Sequence, residues 1–329
     1  MTRAIRLDVH AHLVPVDEER LAAIEGVAFD REGTAMVIDG HRVGMKPLFR
    51  PERLIAWMDE NRVAEAWISA PPPLYRQHLR GEAARQWARY LNDGLADIAA
   101  ASKGRLRALM HLPVEDPETA AALAGELAAA GHRRFAMPCG TGDARGLSDA
   151  AFEPLWRALD GASAFVFLHP GECADGRLKA FYLSNLVGNP YESTVAIAHL
   201  VFGGVLDRFP GIEFCFAHGG GLAPMAAGRL QRGYDTDRPG IDKAVTPPET
   251  ALRRLRVDCI CHGEPAIMLA EAVFGEDNVV FGSDWPFPMG IVEPERQMGG
   301  HDAARLDRLF DANPARLIER LERKGKDKP

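Results

Sequence analysis

The stretch Asp8-Val9-His10-Ala11-His12 closes the first apolar run of the chain, which begins at Ile5. Such a run is typical of a short buried strand, and side chains two residues apart on a strand point to the same side. His10 and His12 can therefore meet at one ion. An isolated H-x-H pair is weak evidence, because most histidines are solvated or core residues. The pair becomes informative because three further predicted strands end in, or just before, a residue of a metal-ligand type: His169, His218 and Asp284.

Short β-type runs alternate with helical stretches, as in parallel βα units. The sequence predicts eight strands at residues 5–10, 64–69, 106–111, 134–137, 164–169, 212–218, 255–260 and 279–282. It predicts helices that include residues 53–61, 81–101, 117–130, 192–209, 222–234 and 264–273. An α/β fold of the closed (β/α)8 TIM-barrel type is favoured over an open, doubly wound sheet. In a barrel, active-site groups gather at the C-terminal ends of the strands, where the ligand-type residues occur here.

The 329 residues are enough for one large α/β domain, and we expect a single barrel domain over residues 1–329. Residues 13–48 are too many for an ordinary βα loop of roughly 2–6 residues. Within this segment, residues 34–43 predict a hairpin around Asp39-Gly40, which is a favoured two-residue turn. We therefore expect a small β insertion after strand 1 that leans over the mouth of the barrel.

Composition narrows the class of protein. The net charge is -7 with acidic and basic residues interspersed, which argues against nucleic acid as a partner. The longest apolar stretch, residues 194–206, is too short to span a bilayer, so no membrane association is expected. Residues 1–4 run directly into the first strand, which predicts no signal peptide. The five cysteines are odd in number and form no C-x-x-C pair, so we expect reduced thiols in a cytoplasmic protein.

The predicted rim has the chemistry of a metal site. Imidazoles and a carboxylate are ligands that borderline cations such as zinc accept, with room for a bound water. Zinc lowers the pKa of that water towards about 7. A second metal would need a carboxylated lysine or an acid on strand 4, and residues 134–138 offer neither. We expect one divalent cation, zinc first and manganese as the alternative, and no organic cofactor.

Four motifs together resemble the amidohydrolase superfamily, specifically its amidohydrolase-2 branch and the metal-dependent decarboxylases within it. They are Asp8-Val-His-Ala-His12, Phe167-Leu-His-Pro170, Phe216-Ala-His-Gly-Gly-Gly221 and Phe281-Gly-Ser-Asp-Trp-Pro-Phe287, and residues 203–210 also fit. The resemblance implies that His10, His12, His169 and Asp284 bind the metal together with a water. It also implies that His218 contacts this water as a general base or proton shuttle.

In the branch that the chain resembles, two arginines hold substrate carboxylates. The resemblance assigns these roles to Arg42, in the insertion hairpin, and to Arg229, which would reach into the site of a neighbouring subunit. A planar guanidinium suits a carboxylate because it donates two parallel hydrogen bonds. If Arg229 acts in this way, the protein is at least a homodimer.

The chain also departs from this pattern at the pocket wall. Gly171 stands where those decarboxylases have a tryptophan after the His-Pro pair, and Phe181, Ser184 and Asn185 look like replacements for pocket aromatics. His262 follows strand 7 and is a further candidate to face the pocket. These differences leave the metal ligands unchanged. They predict a pocket of different shape and therefore a different substrate.

The expected activity is non-oxidative decarboxylation of an unsaturated or aromatic carboxylic acid. The metal and the arginines would orient the acid, and His218 would manage the proton. Two alternatives stay open. One is a metal-dependent hydrolase of a lactone, amide or C–C bond, because a metal-bound hydroxide can attack a carbonyl. The other is an inactive metal-binding scaffold.

Overall fold

The computed structural model describes residues 3–171, Cys173 and residues 175–326. The strands in this part of the chain are β1 (Ile5–His12), β2 (Val27–Asp30), β3 (Ala35–Ile38), β4 (His41–Val43), β5 (Val63–Ser69), β6 (Leu106–Ala108), β7 (Met110–His111), β8 (Arg134–Pro138), β9 (Phe165–His169), β10 (Glu213–Phe216), β11 (Arg256–Asp258) and β12 (Val279–Val280).

The α-helices are α1 (Glu18–Leu21), α2 (Pro51–Glu60), α3 (Gly81–Ala101), α4 (Pro117–Ala129), α5 (Glu153–Gly161), α6 (Asn189–Phe202), α7 (Val205–Arg208), α8 (Ala223–Asp235), α9 (Pro248–Leu252), α10 (Glu264–Phe274), α11 (Pro294–Met298), α12 (Ala303–Asp307) and α13 (Asn313–Lys326). Within the described ranges, no helix is both long enough and apolar enough to cross a membrane.

The parallel strands close into a barrel. β1, β5 and β6 pair in that order, and β7 to β12 pair consecutively. β6 and β7 are two parts of the third barrel strand, because Leu109 between them donates its N–H to a β5 carbonyl at 2.8 Å. The ring closes where Val9 donates to the carbonyl of Phe281 at 3.1 Å and Ala11 forms a parallel bridge to Trp285. The (β/α)8 barrel is therefore confirmed, and the open sheet is excluded.

An irregularity in β1 sets which of its side chains face the interior. Leu7 and Val9 belong to the cluster of apolar residues inside the barrel, whereas Ala11 packs in the cluster outside it. The pairing with β5 shifts register between Asp8 and Ala11. Such a bulge adds a residue to the alternation and re-aims the side chains that follow. The bulge turns the side chains of His10 and His12, in the last part of β1, towards the interior of the barrel.

The interior of the barrel is filled below its C-terminal end. Trp67 and Phe165 pack edge to face with ring centroids 4.7 Å apart, in one buried cluster with Leu317 and Leu321 of α13. Asn313 at the start of α13 donates to the carbonyl of Val279, where β12 begins. α13 therefore closes the N-terminal end of the barrel, and the opposite end is left for a functional site.

The segment between β1 and α2 carries an antiparallel sheet in the order β2-β3-β4. Asp39 and Gly40 connect β3 to β4 with φ values of 49° and 82°, as a type I′ hairpin turn requires. Arg76, from the loop after β5, donates two hydrogen bonds to the Asp39 carboxylate at 2.8 and 2.7 Å. This contact holds the insertion against the C-terminal end of the barrel.

Candidate active site

Four side chains from two strand ends and one turn converge at the C-terminal end of the barrel. The ligand atoms of His10, His12, His169 and Asp284 all lie within 4.8 Å of one another. All four residues are buried, with at most 6% of their surface exposed. The Nε2 atoms of His10 and His12 are 3.0 Å apart, and each lies 3.2 Å from Oδ1 of Asp284. The residues expected to bind a metal are thus brought together.

Backbone contacts hold the two ends of this cluster in place. Asp284 follows β12 in a left-handed conformation with φ of 57°, and its N–H donates to the carbonyl of His10 at 2.7 Å. The buried carboxylate of Asp8 accepts the N–H of His10 at 3.0 Å and that of Ser283 at 2.9 Å. Asp8 therefore ties the end of β1 to the turn that presents Asp284.

Each histidine of the cluster has a second contact through its other ring nitrogen. Nδ1 of His10 lies 2.7 Å from Oδ2 of Asp258, and Nδ1 of His169 lies 2.8 Å from the carbonyl of Pro170. Nδ1 of His12 faces the Ser69 hydroxyl at 3.2 Å. Contacts to a carboxylate or carbonyl keep the proton on Nδ1, so the Nε2 lone pair is available to a cation.

Asp258 is a site residue that our sequence reasoning missed. It is fully buried at the end of β11 and is not one of the four converging residues. Its sequence signal is weaker than that of His169, because Asp258 lies inside the predicted strand over residues 255–260 and only the structure ends the strand there. The contact with His10 could not be read from the sequence, because 248 positions separate the two residues.

The electrostatics of the cluster suit a bound cation. Burial lowers the pKa of His12, and it lowers that of His169 well below its ordinary value. Burial opposes ionisation of Asp284, but the neighbouring histidines outweigh it and hold the pKa of this carboxyl well below the usual range. Burial also disfavours charge on His10, yet Asp284 and Asp258 raise its pKa to about 10. The pocket therefore favours one positive charge between two carboxylates.

His218 lies beside the cluster. Its Nε2 is 3.7 Å from Oδ2 of Asp284, and its ring centroid is 4.9 Å from that of His169. The side chain is 16% exposed, and Nδ1 is buried without a hydrogen-bond partner in the described part of the chain. His218 begins a glycine-rich turn with φ of 55°. This position fits a residue that exchanges protons with a bound molecule.

A cavity of about 870 Å³ opens above these residues and includes His169, His218 and Asp284 in its wall. Part of the wall is apolar and is formed by Met45, Pro72, Pro73, Phe287, Pro288 and Met289. Another part is polar and is formed by Lys179, Ser184, Asn185 and Asn189. A cavity of this size and mixed character is typical of sites for small organic ligands.

The arginines expected to bind substrate do not line this cavity. Arg42 on β4 pairs with Asp30 at 2.8 Å, and 52% of its side chain is exposed. Arg229 lies on the exposed face of α8. Neither arginine contributes to the cavity within a single chain. The reason is that Asp30 on β2 takes up the charge of Arg42, and that α8 presents Arg229 outward.

The other two candidate substrate residues are also displaced from the cavity. Phe181 is 88% exposed and does not line it, whereas its neighbour Tyr182 does. The expectation that Phe181 forms the pocket wall is therefore corrected, because its ring is exposed to solvent and the adjacent Tyr182 takes the place in the wall. His262 lines a smaller cavity of about 390 Å³, which shares His218 and Asp284 with the first.

Comparison with known proteins agrees with the barrel and its rim. The family described as Amidohydrolase (Amidohydro_2) matches residues 7–320. Among curated relatives, a 2-amino-3-carboxymuconate-6-semialdehyde decarboxylase of Dictyostelium discoideum is 29% identical over 312 residues. That alignment covers 89% of this chain and 84% of the relative.

Solved structures give the same fold. The crystal structure of 5-carboxyvanillate decarboxylase from Sphingomonas paucimobilis matches with a TM-score of 0.77 at 20% identity, over 97% of this chain and 99% of that one. A dihydroxybenzoic acid decarboxylase from Polaromonas sp., solved with manganese and 2-nitroresorcinol, matches with a TM-score of 0.77 at 18% identity, over 96% and 97% of the two chains. At these identities the likeness establishes the architecture.

Proposed function

The chain belongs to the amidohydrolase family, and we propose that it is a metal-dependent decarboxylase of an unsaturated or aromatic carboxylic acid. The convergence of His10, His12, His169 and Asp284 beneath a cavity that also contains His218 carries this proposal. The relatives described above are named for decarboxylation of a carboxymuconate semialdehyde, a carboxyvanillate and a dihydroxybenzoic acid. Their substrates are unsaturated or aromatic acids, which is the class we assign to this chain.

The cluster fits one divalent cation. Oδ1 of Asp284 is buried without a hydrogen-bond partner in the described residues, and it faces the Nε2 atoms of His10 and His12. Three imidazoles and a carboxylate suit zinc or manganese. We propose zinc, and the manganese in the related dihydroxybenzoic acid decarboxylase supports the alternative. When bound, the cation supplies Lewis-acid polarisation of substrate oxygens.

Decarboxylation replaces a bond from carbon to carboxylate with a bond from carbon to hydrogen, so a proton must reach that carbon. We assign its delivery to His218, whose Nε2 faces the cluster and whose Nδ1 is not committed to another described group. The electron pair of the breaking C–C bond returns to the unsaturated system as CO2 leaves. Solvent then restores the proton on His218. The apolar part of the wall, including Phe287 and Met289, excludes bulk water from the reacting carbon.

The polar part of the wall supports an acidic substrate. Lys179 is the one lysine or arginine among the described residues that line the cavity, and it forms no ion pair with another described residue. Its ammonium group can bind an anionic substituent as a point charge. Arg42 can take a similar role on exchanging its contact with Asp30 for the substrate. His262 would contact the part of a substrate that extends into the smaller cavity.

We propose that the working unit is a homodimer. α8 carries Arg229 on its exposed face together with Met225, which is 81% exposed, and Leu222, immediately before α8, is 48% exposed. Exposed apolar side chains grouped on one face are typical of an interaction surface. In such a dimer Arg229 would reach the cavity of the partner subunit and bind a substrate carboxylate there.

The cysteines support a reducing compartment. All five are unpaired, and burial raises the pKa of Cys139, Cys215 and Cys259. Buried thiols of this kind are inert and persist in the cytoplasm, where we place the protein as a single-domain enzyme.

Metal analysis combined with CO2 release tests the function. The purified protein should contain one zinc or manganese per chain and release CO2 from an aromatic or muconate-type acid. His218→Asn should keep the metal and lose about 10²–10⁴-fold in turnover. His132→Asn, at the opposite end of the barrel, is the matched control. Incorporation of ¹⁸O from water into the product, without CO2 release, would instead indicate a hydrolase.

A further inference from the structure

We infer that Asp258 is a positioning residue that couples the metal ligand His10 to the proton-transfer residue His218. This inference rests on the proposed function. Oδ2 of Asp258 lies 2.7 Å from Nδ1 of His10, and Oδ1 accepts the N–H of Gly219 at 3.0 Å. Gly219 directly follows His218 in the chain. One buried carboxylate therefore holds a residue of the metal cluster through one oxygen and the turn that presents His218 through the other.

The turn beginning at His218 needs such support. His218, Gly219, Gly220 and Gly221 all have positive φ values, of 55°, 61°, 74° and 66°. Consecutive left-handed residues are held only where the surroundings over-determine them, and the cost is greatest for the histidine, which has a Cβ. The bond from Gly219 to Asp258 is the one side-chain contact to a backbone N–H of this turn that the described residues provide.

The backbone of Gly282 approaches Asp258 and His10 closely. A Cβ on Gly282 would lie 2.9 Å from Cβ of Asp258 and 2.9 Å from Cβ of His10. Oδ1 of Asp258 also accepts the N–H of Ile260 at 3.0 Å. Because Asp258 is fully buried, a disturbed contact is not replaced by water from bulk solvent. We therefore expect a change at Asp258 to displace His10 or the turn.

Only a carboxylate satisfies both contacts, because both oxygens must accept. An ionised carboxylate donates no hydrogen bond, so it keeps the proton of His10 on Nδ1 and leaves Nε2 free to bind a cation. An asparagine that presents its oxygen to Gly219 would present its NH2 group to His10 and move the ring proton to Nε2. The opposite rotamer would place the NH2 group against the N–H groups of Gly219 and Ile260. Either orientation loses one of the two couplings.

The test compares Asp258→Asn with the wild-type protein in two measurements. Affinity for zinc alone and manganese alone, measured by competition with a chelator, should fall about 10–100-fold. At saturating metal, kcat should remain at least tenfold below wild type with little change in KM, because the turn that presents His218 is displaced. Glu213→Gln is the matched control. It removes another buried carboxylate, paired with Arg256 at 2.7 Å where β10 begins, and should lower stability without changing metal affinity.

Gly219→Ala gives a second, independent test of the same coupling. A Cβ there would lie 2.5 Å from Sγ of Cys261, and the φ of 61° disfavours any side chain, so the variant strains the turn while the contact between Asp258 and His10 is left in place. We expect kcat to fall at least tenfold with unchanged metal affinity. If Asp258→Asn binds metal with wild-type affinity, or if it lowers the melting temperature alone, the inference is wrong. A wild-type protein that binds metal but releases no CO2 from any acid would refute the proposed function. The comparison of metal affinity between the wild type and Asp258→Asn would still test the coupling of Asp258 to His10.

Discussion

Lys179 places a positive charge on the wall of the main cavity and forms no ion pair with another described residue, whereas Asp175 on the same wall is paired with Arg177. We expect Lys179→Gln to raise KM about tenfold for acids with a second anionic group, with kcat nearly unchanged. The physical reason is that a distant substituent is bound equally in the ground state and the transition state. Steady-state CO2 release from mono- and dicarboxylic acids measures this. Lys103→Gln, in the loop after α3, is the control. An equal rise in KM for both classes of acid would show that Lys179 does not bind the second anionic group.

His111 makes stability depend on pH. It is buried at the end of β7, stacked on Tyr75 with ring centroids 5.4 Å apart, and burial lowers its pKa from 6.5 to about 4. The folded protein therefore binds this proton less tightly than the unfolded chain does. The contribution to stability is fully present above pH 6.5 and is lost as the pH falls towards 4. The loss amounts to about 3 kcal/mol.

Replacement of His111 by phenylalanine isolates this effect. His111→Phe keeps a ring against Tyr75 and removes the titrating group. Urea unfolding at pH 7 and pH 4.5 should show that the wild type loses about 2 kcal/mol more than the variant. The metal ligands titrate in both proteins, so their contribution to the pH dependence of stability cancels when the two proteins are compared. Equal losses of stability in the two proteins would show that His111 does not contribute to the acid sensitivity.

At the scale of single residues, the sequence was enough to predict the positions of site residues that lie at or just after the ends of strands. His169 and Asp284 were predictable because parallel strands in a barrel deliver their C-terminal ends to one rim. Asp258 and the exposure of Phe181 were not, because the first depends on a partner distant in sequence and the second on which of two adjacent aromatic residues faces the cavity. Arg42 was predictable as a member of the hairpin, but its contact with Asp30 was not.

Among the elements, the β2-β3-β4 insertion is held by one buried arginine. The side chain of Arg76 is 4% exposed and bonds both Asp39 and the carbonyl of Glu25. We expect Arg76→Ala to speed hydrogen exchange of residues 27–43 roughly tenfold to a hundredfold, because a buried charge-assisted pair is lost. Exchange of the barrel strands should stay unchanged. Mass-spectrometric hydrogen exchange measures both regions.

The control for Arg76 is a pair on the surface of the same insertion. Arg42→Gln breaks the exposed contact with Asp30, which contributes less than about 1 kcal/mol. Hydrogen exchange of residues 27–43 in Arg42→Gln should rise by less than about fivefold. If both variants open the insertion equally, Arg76 is not its anchor. A large rise in KM in Arg42→Gln, without a change in exchange, would support direct binding of substrate by Arg42.

Element boundaries diverged from the sequence where glycine or a local irregularity intervenes. The predicted helix over residues 192–209 is two helices, α6 and α7, because Gly204 adopts φ of 63° between them. The predicted strand over residues 106–111 is divided at Leu109, which joins two separately paired segments. The hairpin turn at Asp39-Gly40 was predictable because both residues tolerate positive φ. The preceding strand β2 was missed, since its apolar run is only the three residues 27–29 and none of its residues is fully buried.

For the whole molecule, closure of the barrel determines the chemistry. The bridge between Ala11 and Trp285 joins the first and last strands, and it places Asp284 next to His10 and His12. An open sheet would hold these residues at opposite edges. The sequence predicted closure from the number of strands and from their polar ends. It could not predict whether the exposed face of α8 is covered, because exposed apolar residues do not reveal what packs on them.

Met225 provides the test of the dimer. Met225→Glu places a charge on the exposed apolar face that includes Leu222 and Arg229, and we expect it to convert the dimer to a monomer in light scattering. CO2 release should fall at least tenfold, because Arg229 would no longer reach the partner's cavity. Val16→Glu changes another exposed apolar residue, 38% exposed in the loop after β1, and should leave both properties unchanged.

Mixed dimers separate a role of Arg229 in the partner's site from a role in its own. Arg229→Ala and His218→Asn should each be nearly inactive alone. After co-refolding or co-expression, a heterodimer contains one site with an intact His218 and an intact Arg229 from the other chain. Random pairing would then restore roughly a quarter of wild-type activity. No recovery, from variants that do form heterodimers, would mean that Arg229 serves its own chain. Wild-type protein that is monomeric at full activity would exclude the shared site altogether.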